Sequence, residues 1–205
     1  MYFDIGANVG KWAIANAHNS STIISVEASP ITYQRLVNSV SMYNNIQVLN
    51  YAVCDNSGKD ITFYDAHCDT ISTINKDWLC SPSSRFCNYA FTEITCKTIT
   101  LDSLIEIYGL PSLIKIDVEG GEYECIKSLS KKVDLLCFEW ASEVNNITFN
   151  CLDYLTTLGF TKFYVQFTDN YTFRPDEDKY VTVSLVKKQL EATVPKQEWG
   201  MLWCK

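Results

Sequence analysis

The sequence predicts an α/β fold, a doubly wound and mostly parallel sheet. The main observation is that strand-like and helix-like segments alternate from residue 2 to about residue 160, which is the order in which βαβ units build a parallel sheet. The composition agrees, since 47% apolar and 20% charged residues are typical of a globular protein. No internal repeat or linker divides the 205 residues, so we expect a single domain over 1–205. Because the first strand starts at residue 2, the chain is either a minimal protein or one domain of a longer polypeptide.

The first half of the chain alternates regularly. Runs rich in β-branched residues, such as TIISVE at 22–27, predict strands, and Pro30 stands where a helix commonly begins. The turn residues DNSG at 55–58 predict a break before a further strand. The predicted strands are 2–5, 22–27, 46–53 and 60–64, and the predicted helices are 11–18 and 31–43.

Residues 66–92 show neither a helical nor a strand period and are rich in Ser, Cys, Asn and Asp. A long irregular segment inside a compact domain is commonly functional. We therefore treat 66–92 as an insertion that frames a substrate site.

The second half of the chain returns to alternating elements. Gly159 follows a predicted helix and is a suitable C-terminal cap. The runs KFYVQF and YVTVSLV alternate polar and apolar residues, which predicts two late strands. The predicted strands are 95–100, 112–118, 134–140, 162–167 and 180–186, and the predicted helices are 101–108, 121–130 and 148–158. Residues 187–205 remain as a C-terminal tail, and we expect its end, EWGMLWCK at 198–205, to cover an apolar groove or a partner.

Charge and cysteine content narrow the function classes. Lys and Arg number 17 and Asp and Glu number 24, so the net charge is −7, and an acidic surface disfavours nucleic acid as a partner. The nine cysteines form no C-x-x-C pair, which indicates reduced, mostly buried thiols and a cytoplasmic location. No segment has the pattern of a signal peptide or of a bilayer span, and we expect no membrane partner.

Acidic side chains stand at the ends of several predicted strands. Asp4 and Glu27 lie at the ends of the first two strands, Asp117 and Glu119 follow the strand at 112–118, and Glu139 lies near the end of the next one. Ligands of doubly wound sheets bind outside the carboxyl ends of the strands. The acids therefore predict a site at this edge of the sheet.

The first strand runs into a glycine turn, GANVG, at 6–10. The spacing G-x-N-x-G lacks the remaining glycines of the dinucleotide fingerprint. The carboxylate of Glu27 can accept two hydrogen bonds from a ribose diol. A ribose site without a pyrophosphate fingerprint favours S-adenosylmethionine over a nicotinamide dinucleotide. Asp4 is placed either to approach the ammonium of that cofactor or to complement a helix N-terminus.

Five blocks occur in order over roughly residues 3–160: FDIGANVGKW, VEASP, NYAVCDNSGK, TLDSL and IKIDVEGGEYECIKSL. Together they resemble the FkbM family of S-adenosylmethionine-dependent O-methyltransferases. The resemblance implies a Rossmann-like class I methyltransferase fold, whose seven-stranded sheet has an antiparallel late strand. It also implies S-adenosylmethionine as cofactor and a hydroxyl, frequently of a sugar, as acceptor. The cofactor-binding residues that it implies are Asp4, Gly6, Asn8, Gly10, Glu27, Ala28, Val53 and Asp117.

Methyl transfer to a hydroxyl needs an aligned acceptor and a group that removes the proton. The candidate catalytic residues are Asp117, Glu119 and Glu139. A carboxylate is a weak base for a sugar hydroxyl unless burial raises its pKa or a cation lowers that of the hydroxyl. By analogy with catechol-type O-methyltransferases, Asp117 and Glu139 are also candidate ligands of a divalent cation such as Mg²⁺. A buried Lys115 would need a carboxylate partner.

One position departs from the family pattern. A histidine often follows soon after the glutamate of the fifth strand in the family, whereas Trp140 follows Glu139 here. We therefore do not expect a histidine base from this strand.

These observations predict an S-adenosylmethionine-dependent O-methyltransferase that acts on a sugar hydroxyl of a glycan or glycoside. We expect the insertion and the loop 168–179 to frame the acceptor. Their aromatic residues either stack on sugar rings or anchor the loops: Trp78, Phe86, Tyr89, Tyr171 and Phe173. Three alternatives stay open, namely an RNA ribose 2′-O-methyltransferase, a cofactor-binding scaffold without catalysis, and a nicotinamide-dependent dehydrogenase.

Overall fold

Strands and helices alternate over most of the chain. The computed structural model describes residues 1–205 except the side chain of Pro195. The strands are β1 (Tyr2–Ile5), β2 (Ile23–Glu27), β3 (Ile46–Asn50), β4 (Ala52–Val53), β5 (Asp60–Ala66), β6 (Phe91–Ile99), β7 (Leu113–Ile116), β8 (Leu136–Ala141), β9 (Phe163–Phe167) and β10 (Trp199–Cys204). The α-helices are α1 (Lys11–Asn16), α2 (Pro30–Val40), α3 (Lys76–Cys80), α4 (Leu101–Tyr108), α5 (Glu122–Ile126), α6 (Asn145–Thr157) and α7 (Val183–Glu191). Among the described residues, no helix is long and apolar enough to cross a membrane.

Seven strands form one sheet in the order β3-β2-β1-β7-β8-β10-β9. The pairings among the first five strands of this order are parallel, whereas β10 is antiparallel to both β8 and β9. The predicted fold class, a doubly wound and mostly parallel seven-stranded sheet with an antiparallel late strand, is therefore confirmed. The strand order reverses between β1 and β7, and doubly wound sheets open a ligand crevice at such a switch point.

Apolar side chains cover both faces of this sheet. In β8, Phe138 belongs to one core cluster and the adjacent Cys137 to the other. Leu202 and Trp203 of β10 divide between the two clusters in the same way. Burial on both faces explains why the central strands are nearly continuous apolar runs.

A second sheet has three strands in the order β4-β6-β5. β5 and β6 are antiparallel, and their register ends with Ala66 opposite Phe91. The insertion predicted at 66–92 is thus the long loop of a β-hairpin. It contains one helix, α3, whose N-cap Asn75 accepts a hydrogen bond from a backbone N–H of the first turn.

The prediction of a strand at 180–186 is wrong. α7 begins at Val183, and Val181 alone forms an isolated antiparallel bridge, with Phe163. Val186 and Leu190 are fully buried four residues apart, which is the spacing of one helix face. Over so short a run, the polar and apolar residues of YVTVSLV fit both the period of a strand and the period of a helix. Packing against the core decides in favour of the helix.

The interpretation of EWGMLWCK at 198–205 as a covering segment is also wrong. β10 lies inside the main sheet between β8 and β9, and Trp203 is 2% exposed. The tail therefore supplies the reversed strand of the sheet.

Several further boundaries differ, among them those of one strand and one helix. The strand predicted at 46–53 is interrupted at Tyr51, and its second part, β4, pairs with β6 instead of the main sheet. The helix predicted at 121–130 ends at Ile126.

Candidate active site

A cavity of about 610 Å³ lies at the carboxyl ends of β1, β2, β7 and β8, next to the switch point of the sheet. The strand-end acids predict a site at this edge. Eight of the predicted site residues line the cavity: Gly6, Asn8, Glu27, Ala28, Val53, Asp117, Glu119 and Glu139. Asp4 and Gly10 are buried and do not belong to the described cavity wall.

The glycine turn after β1 is fixed by close packing. The backbone N–H groups of Gly6 and Ala7 both donate to the carbonyl of Val26, at 3.0 Å. Gly6 has φ +71°, and a Cβ there would lie 1.8 Å from the backbone oxygen of Asp117. Gly6 is therefore needed where the turn crosses the end of β7. Gly10 acts further from the cavity, where a Cβ would collide with side chains of α2.

Glu27 is held on the cavity wall by two backbone groups. Its Oε2 accepts a hydrogen bond from the N–H of Asn8 and its Oε1 one from the N–H of Ser29, both at 2.9 Å. Burial raises the pKa of Glu27 to about 7, although these two hydrogen bonds oppose the shift. A carboxylate oxygen can accept more than one hydrogen bond, so the fixed carboxylate retains acceptor capacity towards the cavity. This carboxylate acceptor fits the hydroxyls of a ribose, which would donate to it.

Lys115 occupies the centre of a charge cluster between β1 and β7. Its Nζ lies 3.3 Å from Asp4 Oδ1 and 3.3 Å from Asp117 Oδ2, and it donates to the carbonyl of Gly6 at 2.9 Å. Burial acts to lower the pKa of Lys115, but the carboxylates of Asp117 and Asp4 outweigh it and raise that pKa. Asp4 therefore serves as a counter-ion behind Lys115, and the expected pairing of Lys115 with a carboxylate is present twice.

Three carboxyl groups meet at the ends of β7 and β8. Asp117, Glu119 and Glu139 each place one oxygen atom within 4.8 Å of the others. Burial, followed by the neighbouring carboxylates, raises the pKa of both Glu119 and Glu139 well above its ordinary value. Carboxyl groups this close do not all ionise readily, so the group can hold a proton and release it.

The same three oxygens are hard donors of the kind that Mg²⁺ prefers. A divalent cation between Asp117 and Glu139 stays a prediction, with Glu119 as a further ligand of the same type.

Glu122, which follows in the same sequence block, has a structural role. Its Oε1 accepts hydrogen bonds from the N–H groups of Val118 and Gly120, at 3.1 and 3.2 Å. It thus fixes the turn that carries Glu119. Burial raises the pKa of Glu122 to about 7 against these hydrogen bonds.

Several cavity residues were not predicted from the sequence. Asp169, Arg85 and Trp199 line the cavity from three different segments. Burial, then the nearby Asp117, raises the pKa of Asp169 to about 6. Its position just after β9 repeats the strand-end rule, which could have identified it. Trp199 gave no such signal, since β10 was not predicted as a strand.

The predicted aromatic residues divide into two groups. Phe86, Tyr89 and Tyr171 line the cavity together with Trp78, which is only 2% exposed. Phe173 instead stacks on Tyr164 with ring centroids 5.8 Å apart, so it anchors the loop 168–179.

Comparisons with known proteins identify the family and support the fold. Hexuronic acid methyltransferase AglP of Haloferax volcanii is 27% identical over 143 residues, covering 67% of this chain and 53% of that protein. The chain thus spans about half the length of this curated relative. Among solved structures, precorrin-6y C5,15-methyltransferase from Geobacter metallireducens matches with a TM-score of 0.51 and 8% identity, over 100% of this chain and 78% of that one. Aeropyrum pernix fibrillarin, solved with natively bound S-adenosyl-L-methionine, matches with a TM-score of 0.50 and 8% identity, over 100% of this chain and 65% of that one.

The two structures support the fold, a Rossmann-like class I methyltransferase architecture. Residues 4–174 match the family described as "Methyltransferase FkbM domain". This range includes all ten predicted site residues, and the resemblance inferred from the five sequence blocks is confirmed. The chain belongs to the FkbM methyltransferase family.

Proposed function

We propose that this chain is an S-adenosylmethionine-dependent O-methyltransferase whose acceptor is a sugar hydroxyl of a glycan or glycoside. The observation that carries the proposal is a single cavity that is lined both by Glu27, at the end of β2, and by the three carboxyl groups at the ends of β7 and β8. One end of this cavity suits a nucleoside, and the other suits removal of a proton.

The cofactor half is formed by the glycine turn and the ends of β2 and β4. Glu27 accepts hydrogen bonds from the two ribose hydroxyls, since its carboxylate is already oriented by Asn8 and Ser29. Ala28 and Val53 supply apolar wall next to it. When bound, S-adenosylmethionine supplies a methyl group on a sulfonium centre. Acidic groups around that position favour a cation.

The acceptor half uses Glu119 and Glu139 as its proton-accepting pair. The carboxylate of Asp117 is engaged by Lys115 at 3.3 Å, whereas burial and neighbouring acids raise the pKa of the other two. A raised pKa makes a carboxylate a stronger base. One of the pair would take the hydroxyl proton as the hydroxyl oxygen bonds to the methyl carbon and the carbon–sulfur bond breaks, which leaves S-adenosylhomocysteine as a neutral thioether.

A sugar is the acceptor class that the cavity suits. Aromatic rings from three segments, Tyr89, Tyr171 and Trp199, are partly exposed and line it, and such rings offer flat apolar faces to a pyranose. Six carboxylates line the cavity against three cations, of which Arg85 and Lys115 are already ion-paired. This charge disfavours RNA. The relative named for hexuronic acid adds a sugar acid to the acceptors worth testing.

The test is transfer of a labelled methyl group from S-adenosylmethionine to methyl hexopyranosides, methyl hexuronosides and a short oligoribonucleotide. We expect label on a sugar and none on the RNA. Mild alkali separates the products, because a methyl ether survives it and a methyl ester is hydrolysed. Label that alkali releases would contradict the hydroxyl acceptor, and label on the RNA alone would contradict the sugar.

A further inference from the structure

The turn that carries Glu119 is strained and is held from outside its own strand. Glu119 has φ +56°, a left-handed conformation that is costly for a residue with a side chain. Such a conformation persists only where the surroundings fix it. Glu122 supplies part of that restraint from α5, and the insertion supplies the rest.

Three side chains of the insertion bind this turn. The indole Nε1–H of Trp78 donates to Glu119 Oε2 at 2.9 Å, and the hydroxyl of Thr73 donates to the Glu119 carbonyl at 2.6 Å. Asn75 Nδ2 donates to the carbonyl of Gly120 at 3.1 Å. Trp78 and Thr73 are 2% and 0% exposed, so water does not compete for these bonds.

Close packing accompanies the hydrogen bonds. A Cβ at Gly120 would lie 3.3 Å from Asn75 Nδ2, and one at Gly121 would lie 3.0 Å from Ile74. The two glycines thus let the insertion lie against the turn. Within the insertion, the ring of Phe86 packs edge-on against Trp78 with centroids 5.2 Å apart, which fixes the indole in turn.

We propose that Trp78 is a positioning residue that holds the carboxylate of Glu119 next to Glu139. The inference rests on the proposed function, in which these two carboxyl groups accept the proton. The carboxyl groups of Asp117, Glu122 and Glu139 repel a charge on Glu119, and the ammonium of Lys115 attracts it. A neutral indole donor binds one oxygen of Glu119 without adding a counter-charge, and so leaves the other oxygen for the acceptor.

The contact can be tested without turnover. The chain has five tryptophans, so a ¹⁵N-labelled sample gives five indole N–H signals in an NMR spectrum. Trp78→Phe assigns one of them, and Glu119→Gln should shift that signal because the acceptor changes from a carboxyl to an amide group. Trp203→Phe assigns a control signal, since the Trp203 indole donates to Gln166 Oε1 at 2.8 Å and is equally buried. A Trp78 signal that does not move in Glu119→Gln would overturn the proposal.

Kinetics with the fastest methyl hexopyranoside test the consequence. Trp78→Phe should lower kcat by at least about tenfold, the size expected for losing a hydrogen bond to a charged group, with little change in KM for S-adenosylmethionine. Trp203→Phe removes the same atoms elsewhere and should keep kcat. In a Glu119→Gln background, Trp78→Phe should cost nothing further. A full additional loss there would show that Trp78 does not act through Glu119.

If Trp78→Phe does not fold, Thr73→Val removes a second bond to the same residue with little change in volume, and the same kcat loss is expected. An unchanged kcat in that variant would contradict the positioning role of the insertion. If no sugar is methylated, the proposed function fails, whereas the indole signal still reports the contact with Glu119.

Discussion

Glu27 is fixed by the fold and has a proposed role towards the ligand. It lies at the end of β2, accepts two backbone hydrogen bonds and still faces the cavity. Glu27→Ala should weaken binding of S-adenosylhomocysteine by more than about tenfold, because two charge-assisted hydrogen bonds to ribose are lost. Calorimetry measures this. The control is Glu106→Ala, which removes an exposed carboxylate from α4. An affinity of Glu27→Ala within about threefold of wild type would exclude the ribose role.

Substitution of the acids in the proposed acceptor half should lower turnover without weakening cofactor binding. Asp117→Asn, Glu119→Gln and Glu139→Gln keep size and remove charge. A variant that has lost the base or a ligand should turn over at least about 100-fold more slowly, with cofactor affinity and Tm retained. Asp117→Asn should still fold, because Asp4 remains as a partner of Lys115.

Glu124→Gln is the matched control for this series. It changes a carboxylate on α5 that pairs with Lys127 outside the cavity. If all three site variants turn over as fast as this control, the base lies elsewhere in the cavity, where Asp169 becomes the next candidate.

The cation prediction has its own test. If Asp117, Glu119 and Glu139 hold Mg²⁺, excess chelator should abolish turnover and added Mg²⁺ should restore it, because the cation lowers the pKa of the hydroxyl. Turnover is measured by the labelled methyl assay, with S-adenosylhomocysteine binding followed in parallel. Full activity after dialysis against chelator would leave the carboxylates as the base alone.

At the residue scale, the sequence predicted the positions of acids and glycines better than their roles. Strand-end acids converge because parallel strands end at one edge of a sheet, so Glu27, Asp117 and Glu139 could be placed together. Whether an acid faces the ligand or a buried lysine depends on tertiary packing, and Asp4 could not be assigned for that reason. Trp78 carries no sequence signal of its role, since its partner lies 41 positions away.

At the scale of elements, the turn between β1 and α1 also shows that the role of a residue depends on tertiary packing. Gly6 and Gly58 both have φ +71°, but a Cβ at Gly6 would lie 1.8 Å from a backbone oxygen, whereas one at Gly58 meets nothing within 4 Å. Gly6→Ala should therefore destabilise the protein by several times the roughly 1 kcal/mol expected of Gly58→Ala, whose cost is conformational alone. Urea unfolding measures both. Equal losses would show that the turn does not press on β7 in solution.

Elements with one clear period were predicted, and those with two competing periods were not. β2 is a uniform buried run, which predicts a strand. α2 has a capping signal before it and Pro30 at its start, which predicts a helix. α7 begins with alternating residues, and only its contacts with the core reveal the helix. The second sheet could not be predicted as a unit, because β4 and β6 pair across a long separation in sequence.

For the whole molecule, buried acids set the response of stability to pH. The pKa of Glu27 is about 7 in the folded chain against 4.5 normally, so between these values the folded state binds the extra proton. The free energy of unfolding of the ligand-free chain should therefore fall as pH rises from about 5 to 8, by on the order of 3 kcal/mol for Glu27. Glu122 acts in the same direction.

Urea unfolding at pH 5 and pH 8 checks this. Glu27→Gln should make the pH dependence shallower, because an amide does not titrate, while Glu122 keeps its own share, and Glu106→Gln should leave it unchanged. A wild-type chain that is equally stable at both pH values would contradict the raised pKa of Glu27.

The place of β10 has a consequence for biosynthesis. β8 and β9 each pair with β10, yet β10 follows both of them in the sequence. While the ribosome is still translating the segment between β9 and β10, the edge of β8 that β10 will occupy has no strand beside it, and β9 has not joined the sheet. Unpaired strand edges favour association with other chains. The nascent domain is therefore incompletely folded and prone to aggregation until β10 has been translated. We expect its yield in cells to depend on chaperones that act during this interval.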